Sequence, residues 1–220
     1  MVFINTFHQE LTWDDIMTVL KLPTTDELDK IDLSELAQIL EDAESVPDNI
    51  VEDFTKGPGK EPYALYAYLS TTFDNGTILD IGTLFGSSAV ALSYNKTNKV
   101  ISYDINEHND HGYFSARDNL TWKHMDFQKD DTIDWKDVRM ILIDTDHTGE
   151  QETGFINFLI EKDWCGILLL DDIHQSQAME EFWGNFDNDI KKDVTGIGHT
   201  ACCGTGYVEF DLENSSYAWS

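Results

Sequence analysis

A glycine-containing loop, DIGTLFGSS at residues 80–88, is the first feature of this sequence whose residue types and spacing suggest chemistry. It follows an apolar segment and opens a candidate helix. Its glycines would let the backbone approach a ligand, beside the free N–H groups of the helix start. The spacing is GxxxG, not the GxGxxG of dinucleotide sites, and no GK[ST] of a nucleoside triphosphate site follows. Asp80 would repel phosphate and would suit the ammonium group of an amino-acid cofactor.

Two more acids follow the next apolar segments, where a nucleoside ligand would need them. Asp104 ends the segment VISYD, and a carboxylate there can accept hydrogen bonds from both ribose hydroxyls. Asp126 follows the third segment and could contact an adenine amino group. Taken alone, GxxxG is a tight turn and Asp104 is a solvent-exposed strand end. Together and in this order, these residues predict a site for a nucleoside-containing cofactor.

A second group of carboxylates ends the following two apolar segments, which read IDTDH at 143–147 and LDDIH at 170–174. Because the carboxyl ends of parallel strands share one edge of a sheet, Asp144, Asp171 and Asp172 are expected to lie together. Three crowded carboxylates repel one another unless something neutralises them. An all-oxygen ligand set favours Mg²⁺ or Ca²⁺, so these three are candidate metal ligands.

Two alternatives stay open at this second group. The acids could be solvated and unpaired, because aspartate is common in loops that follow strands. His147 and His174 could each cap a helix or lie on the surface. If instead the group is catalytic, His147 could act as a general base near neutral pH.

The elements that must position these residues follow from the apolar pattern. Runs such as MILI at 140–143 are apolar on both faces, which is typical of buried parallel strands. Strands that alternate with helices predict an α/β fold with a Rossmann-like, doubly wound, mostly parallel sheet of seven strands. The candidate strands are 77–81, 99–104, 120–124, 138–143, 166–170, 194–200 and 205–211. The candidate helices between them are 86–94, 111–119, 150–162 and 176–192.

The two ends of the chain depart from this alternation. Only residues 201–204 join the last two candidate strands, so these strands are predicted to form an antiparallel hairpin. Helical patterns lie at 11–22, 26–44 and 62–72, and the break KGPGK lies at 56–60. We therefore expect residues 1–60 to form a helical N-terminal extension, a lid or a dimer surface. Residues 61–220 would form one cofactor-binding domain.

Composition limits the partners and the compartment. The formal net charge is −28, with 42 acidic and 14 basic residues, which disfavours nucleic acid and anionic lipid as partners. No apolar run is long enough to span a membrane, and the N-terminal residues do not resemble a signal peptide. The three cysteines, Cys165, Cys202 and Cys203, form no CxxC pair. A cytoplasmic protein that acts on a small molecule is expected, with a homodimer as an option.

The loop, the acid after the second strand and the terminal hairpin together resemble the class I S-adenosylmethionine-dependent methyltransferases. The resemblance covers about residues 60–212 and includes the D-x-G-x-x-x-G spacing. It implies cofactor roles for Asp80, Gly82, Gly86, Asp104 and Asp126. Thr83 and Ser88, in the same loop, are also predicted to contact the S-adenosylmethionine.

The second carboxylate group looks like that of the metal-dependent small-molecule O-methyltransferases of the catechol and caffeoyl-CoA type. Their ligands are an Asp after strand four and an Asp-Asn pair after strand five, which match Asp144, Asp171 and Asp172. Asp172 departs from that pattern, as does His147, which stands where the catechol enzymes have a catalytic lysine. The resemblance implies metal-assisted O-methylation of a small molecule, with the catechol specificity unsupported. The alternatives are another metal-dependent enzyme on the same scaffold and a non-catalytic S-adenosylmethionine-binding module.

Overall fold

A seven-stranded sheet forms the centre of the computed structural model of this chain. The structure describes residues 22–43, 45–56, 60–107, 112–195, 197 and 203–211. The strands are β1 Thr77–Ile81, β2 Lys99–Asp104, β3 Leu120–His124, β4 Val138–Ile143, β5 Gly166–Asp171, β6 Lys191–Asp193 and β7 Thr205–Phe210. Their order across the sheet is β3-β2-β1-β4-β5-β7-β6. The first five are parallel, and β7 runs antiparallel to both β5 and β6.

Helices cover both faces of the sheet, because successive residues of each central strand point to opposite sides. Ile78 of β1 packs on the face covered by the first five helices, and Leu79 packs on the face covered by the last two. The helices are α1 Thr25–Leu28, α2 Ser34–Glu41, α3 Asp48–Thr55, α4 Lys60–Ser70, α5 Ser87–Leu92, α6 Glu150–Glu161 and α7 Gln177–Gly184. Two short 3-10 helices cover Gly112–Ala116 and Phe127–Lys129.

The described part of the N-terminal extension packs into the same core as the sheet. Leu36 and Leu40 of α2 are buried in one apolar cluster with Ile78 and the residues of α5. Buried Arg117 also links α2 to the rest of the chain, since it donates to Glu35 at 3.1 Å and to the backbone carbonyl of Ser93. The helix predicted at 11–22 lies outside the described residues, apart from Leu22.

The predicted fold is confirmed: a mostly parallel sheet flanked by helices, with an antiparallel strand at the end of the chain. The helix predicted at 26–44 is instead the two helices α1 and α2, and the segment 111–119 forms only the 3-10 helix Gly112–Ala116.

The boundaries predicted near the end of the chain are wrong for two elements. Helix α7 ends at Gly184 instead of reaching 192, and β6 is Lys191–Asp193. Of the strand predicted at 194–200 only residues 194, 195 and 197 are described, and they lie outside the strands. Aspartate side chains explain both differences, because they bond to backbone N–H groups two residues later and turn the chain. Asp187 accepts from the Asp189 amide at 2.9 Å, and Asp193 accepts from the Thr195 amide at 3.0 Å.

Candidate functional site

A cavity of about 250 Å³ opens where β1, β2, β3 and β4 reach their carboxyl ends. Among the described residues that line it there are four aspartates and no lysine or arginine, so the cavity favours a cation over an anion. The lining residues are Ile81, Gly82, Leu84, Tyr103, Asp104, Ile105, Asn106, Met125, Asp126, Phe127, Asp144, Thr145, Asp146, His147, Gln151 and Phe155.

The predicted site residues divide into those that line the cavity and those that support it. The structure brings five of them into the wall, namely Gly82, Asp104, Asp126, Asp144 and His147. The remaining six lie behind the wall or beside it, namely Asp80, Thr83, Gly86, Ser88, Asp171 and Asp172.

The two loop glycines are required by neighbouring protein atoms and not only by a ligand. Gly82 has φ +99°, and a Cβ there would lie 1.6 Å from the backbone oxygen of Asp144. Gly86 has φ +76° and precedes α5, where a Cβ would lie within 2.6 Å of Tyr113 and Phe114. The glycine spacing therefore lets β1 and α5 pack closely against β4 and the 3-10 helix, because a left-handed φ and close contact both exclude larger residues.

Asp80 lies beneath the loop and is completely buried. Ser102 donates to its Oδ2 at 2.5 Å, and the Thr83 hydroxyl lies in hydrogen-bond contact with Ser102. Its Oδ1 has no hydrogen-bond partner among the described residues. Burial raises the pKa of Asp80 to about 7, although the hydroxyls of Ser102 and Ser88 act in the opposite direction. A buried carboxylate with one unpartnered oxygen is stabilised when a cation approaches it.

Asp104 stands at the end of β2, with its carboxylate held by the backbone. The amide of Leu84 donates to Oδ2 at 3.1 Å, and the amide of Asn106 donates to Oδ1 at 2.8 Å. Each oxygen keeps a second lone pair, so the carboxylate can still accept from ligand hydroxyls. Its position joins the glycine loop to β2 at the cavity.

Asp126 has a structural role in addition to its place in the cavity wall. Its Oδ1 accepts from the Gln128 amide at 3.0 Å and caps the 3-10 helix, while Oδ2 lies 3.2 Å from Lys129 Nζ. Each of its oxygens therefore has one partner, as in Asp104, and keeps a second lone pair for a ligand.

The carboxylates after β4 and β5 converge on a histidine. Nε2 of His147 lies 3.4 Å from Asp144 Oδ1 and 3.5 Å from Asp172 Oδ2. The hydrogen bond with Asp144 raises the pKa of His147 above its usual 6.5, with burial opposing it. Both His147 and Asp172 adopt left-handed backbone angles, with φ +53° and +54°. Strained residues of this type persist where the surrounding structure holds them, often at functional sites.

The carboxylate of Asp171 accepts hydrogen bonds from two hydroxyl groups. Tyr66 and Thr205 donate to its Oδ1 at 3.5 Å and 3.4 Å. Burial, followed by the charges of Asp144 and Asp172, raises the pKa of Asp171 well above its usual value. The charges of Asp144 and Asp172 therefore act on Asp171.

The divalent cation predicted from the sequence is not supported by this arrangement. Within the described ranges, no group of three His, Cys, Asp or Glu side chains is arranged to hold a metal ion. The physical reason is that Asp144 and Asp172 face the imidazole of His147, whereas Asp171 faces two hydroxyls. His174, the second histidine of the predicted cluster, lies outside the cavity wall and pairs with Asp193 at 2.8 Å.

Three residues that the sequence did not single out contribute to the site. Leu84 and Ile105 line the cavity with side chains that are 48% and 60% exposed. Because single exposed apolar residues are common, the sequence carried no signal for them beyond their place beside Asp80 and Asp104. Glu152, buried in the first turn of α6, binds the loop that carries His147. Its only sequence signal is its position in the helix start after that loop.

Comparison with known proteins places the fold among solved methyltransferase structures. No protein-family model and no curated protein match the sequence. The crystal structure of cofactor-bound Rv0187 from MTB has a TM-score of 0.58 at 13% identity, and the match covers 87% of this chain and 100% of that one. The S-adenosylhomocysteine-bound methyltransferase PaMTH1 of Podospora anserina gives 0.51 at 13% identity, covering 87% of this chain and 99% of that one.

A third similar structure is the N-methyltransferase NodS of Bradyrhizobium japonicum WM9 with S-adenosylhomocysteine. Its TM-score is 0.50 at 13% identity, and 79% of this chain and 96% of that chain are covered. At this level of identity the likeness establishes the shared fold and nothing finer. The chain therefore shares its fold with these solved structures.

Replacement of Gly82 by alanine is expected to destabilise the protein by about 3 kcal/mol or more, because a Cβ meets the Asp144 carbonyl at a left-handed φ. Chemical denaturation of the wild type and of Gly82→Ala measures this loss in the free energy of unfolding. The matched control is Gly154→Ala, whose Cβ would enter open space in α6 and should stabilise by about 0.5–1 kcal/mol. Equal stabilities of the two variants would contradict the close contact.

Replacement of Asp80 by asparagine is expected to change how stability depends on pH. The pKa of Asp80 rises from 3.8 to about 7 on folding, so folding favours the protonated form and wild-type stability falls as pH rises between these values. From pH 5 to pH 8, the free energy of unfolding of Asp80→Asn should rise by up to about 3 kcal/mol relative to that of the wild type. Chemical denaturation of the wild type and of Asp80→Asn at pH 5 and at pH 8 measures this change in the free energy of unfolding. The exposed-surface control Asp189→Asn should show no such trend, and an identical trend in the two variants would contradict the burial argument.

Proposed function

We propose that this chain is an S-adenosylmethionine-dependent methyltransferase that methylates an oxygen of a small molecule. The observation that carries the proposal is the cavity at the strand ends. It joins Gly82, Asp104 and Asp126 with Asp144 and His147 in a fold shared with cofactor-bound methyltransferase structures. A cofactor half and an acceptor half would then meet at the carboxyl end of β4.

The cofactor half is assigned from the chemistry of its walls. Asp104 would accept the ribose hydroxyls, and Asp126 would accept from the adenine amino group. Ile105 and Met125, which line the same part of the cavity, would pack against the adenine ring. Asp80, buried behind the wall with Oδ1 unpartnered among the described residues, would stabilise the ammonium group through its charge. Thr83, Gly86 and Ser88 would support this end from behind the wall.

The charge of the cavity favours this cofactor over a dinucleotide. S-adenosylmethionine is a sulfonium with an ammonium group, so an acidic, lysine- and arginine-free lining among the described residues stabilises it. A pyrophosphate would be repelled by the same residues. This supports methyl transfer over hydride transfer on the same type of sheet.

The acceptor half would use His147 as the general base. An imidazole held between Asp144 and Asp172 takes a proton from the acceptor hydroxyl and is stabilised as the cation by both carboxylates. S-adenosylmethionine held by Asp80, Asp104 and Asp126 would supply the methyl group to this oxygen, and its sulfonium would become a neutral thioether. Asp144, at the junction of the two halves, would orient the imidazole and the acceptor.

A divalent cation bound by Asp144, Asp171 and Asp172 is the second candidate for neutralising these carboxylates. The raised pKa of Asp171 favours it, because a metal ion would relieve the repulsion that contributes to that rise. The arrangement of ligands opposes it.

Composition also bears on the partners and the location of the protein. The net charge of −28 disfavours nucleic acid and membrane lipid as partners, and a homodimer through the N-terminal extension is an option. No described helix has the length and apolar character needed to cross a membrane. We propose a cytoplasmic location on the cysteine content alone.

Calorimetry with S-adenosylhomocysteine tests the cofactor half. The wild type should bind it, and Asp104→Ala should weaken binding about tenfold or more, because two charge-assisted hydrogen bonds to the ribose are lost. Asp118→Ala, at an exposed position outside the cavity, should bind like the wild type. Absence of wild-type binding at high micromolar ligand would refute the proposal.

Incubation with methyl-labelled S-adenosylmethionine and a panel of hydroxyl- and amine-bearing small molecules tests the acceptor half. Labelled O-methyl product that His147→Gln cannot form is the expected result. Product labelled on nitrogen would correct the acceptor class, and cofactor binding without any labelled product would favour the non-catalytic module.

Thermal unfolding in EDTA, Mg²⁺ and Ca²⁺ tests the metal. For the wild type we expect the same melting temperature in all three solutions, because His147 supplies the counter-charge to the carboxylates. For Asp171→Ala we likewise expect no dependence of the melting temperature on the cation. A melting temperature raised by either cation in the wild type and not in Asp171→Ala would establish the metal site instead.

A further inference from the structure

Glu152 is a buried carboxylate whose partners all belong to one loop. It lies in the first turn of α6 and is 1% exposed. Burying a charge is costly unless hydrogen bonds compensate for the lost water. The groups around Glu152 therefore indicate the role of its carboxylate.

Three donors from residues 145–149 converge on this carboxylate. Oε1 accepts from the His147 amide at 3.0 Å and from the Thr145 hydroxyl at 3.1 Å. Oε2 accepts from the Gly149 amide at 2.7 Å. The bond to Gly149 is the ordinary capping contact of a helix start, whereas the two bonds to Oε1 reach beyond the cap.

The bond to the His147 amide acts at the strained point of the loop. His147 adopts φ +53°, an angle that a residue with a side chain rarely takes without support. Its imidazole Nε2 consequently lies between Asp144 at 3.4 Å and Asp172 at 3.5 Å. If the amide were released, the backbone could relax toward right-handed angles and would turn the imidazole away from both carboxylates.

We infer that Glu152 is a positioning residue, which fixes His147 between Asp144 and Asp172 by binding the backbone of the loop. It is buried and does not line the cavity, so it acts through His147. The functional meaning of this position rests on the proposed function, whereas the position itself is a property of the loop.

Nuclear magnetic resonance of the full chain tests the inference with Glu152→Gln and Glu152→Ala. Hydrogen exchange of the His147 amide should become about tenfold faster in Glu152→Ala, because one hydrogen bond to a charged acceptor is lost. Glu152→Gln keeps one accepting oxygen and should give a smaller effect. The ring nitrogen signals of His147, assigned with His147→Gln, should move toward those of a free histidine.

The matched control is Glu150→Gln, which removes the same charge from the same helix turn at an exposed position. It should leave both His147 signals unchanged. The inference is overturned if His147 is unchanged in both Glu152 variants, if Glu150→Gln has the same effect, or if all amides of α6 lose protection together. Failure of the wild type to bind S-adenosylhomocysteine would overturn the proposed function and leave this result intact.

Discussion

The close approach of β1 to β4 at their carboxyl ends is the constraint on which the rest of the site depends. Two backbone hydrogen bonds continue the sheet past its strands, from Gly82 to Tyr103 and from Asp144 to Ile81, each 2.9 Å long. Gly82 then lies directly on the Asp144 carbonyl. Three strand ends are thereby locked together, and the acids that follow them have to share one cavity.

The close approach of these strand ends makes the electrostatic free energy of the site unfavourable. Asp80 and Asp171 are carboxylates whose burial raises their pKa, and the charges of Asp144 and Asp172 raise the pKa of Asp171 further. Leu84, His147 and Asp172 add left-handed backbone strain at the same edge. The protein offsets part of this cost with hydroxyls, backbone amides and the His147 imidazole. A bound cation would offset more of it.

Fold and site differ in how well the sequence predicted them. The five parallel strands were predicted within one residue, because runs such as 140–143 are apolar on both faces and have few other stable arrangements. The elements near 176–200 were misplaced, since side-chain turns at Asp187 and Asp193 overrode the apolar periodicity. The gathering of Gly82, Asp104 and Asp144 was predictable because strand order and strand ends suffice for it. The partners of each carboxylate were not, because they depend on side-chain directions.

The sequence by itself determined that a glycine loop and a series of strand-end acids would meet at one edge of a parallel sheet. It did so because apolar periodicity fixes the strands and parallel pairing fixes which ends coincide. Only the tertiary structure decided that Gly82 is needed for contact with Asp144, that His147 lies between two acids, and that Glu152 holds the intervening loop. These contacts join residues through backbone angles and distances of a few ångströms, which residue types and spacing do not specify.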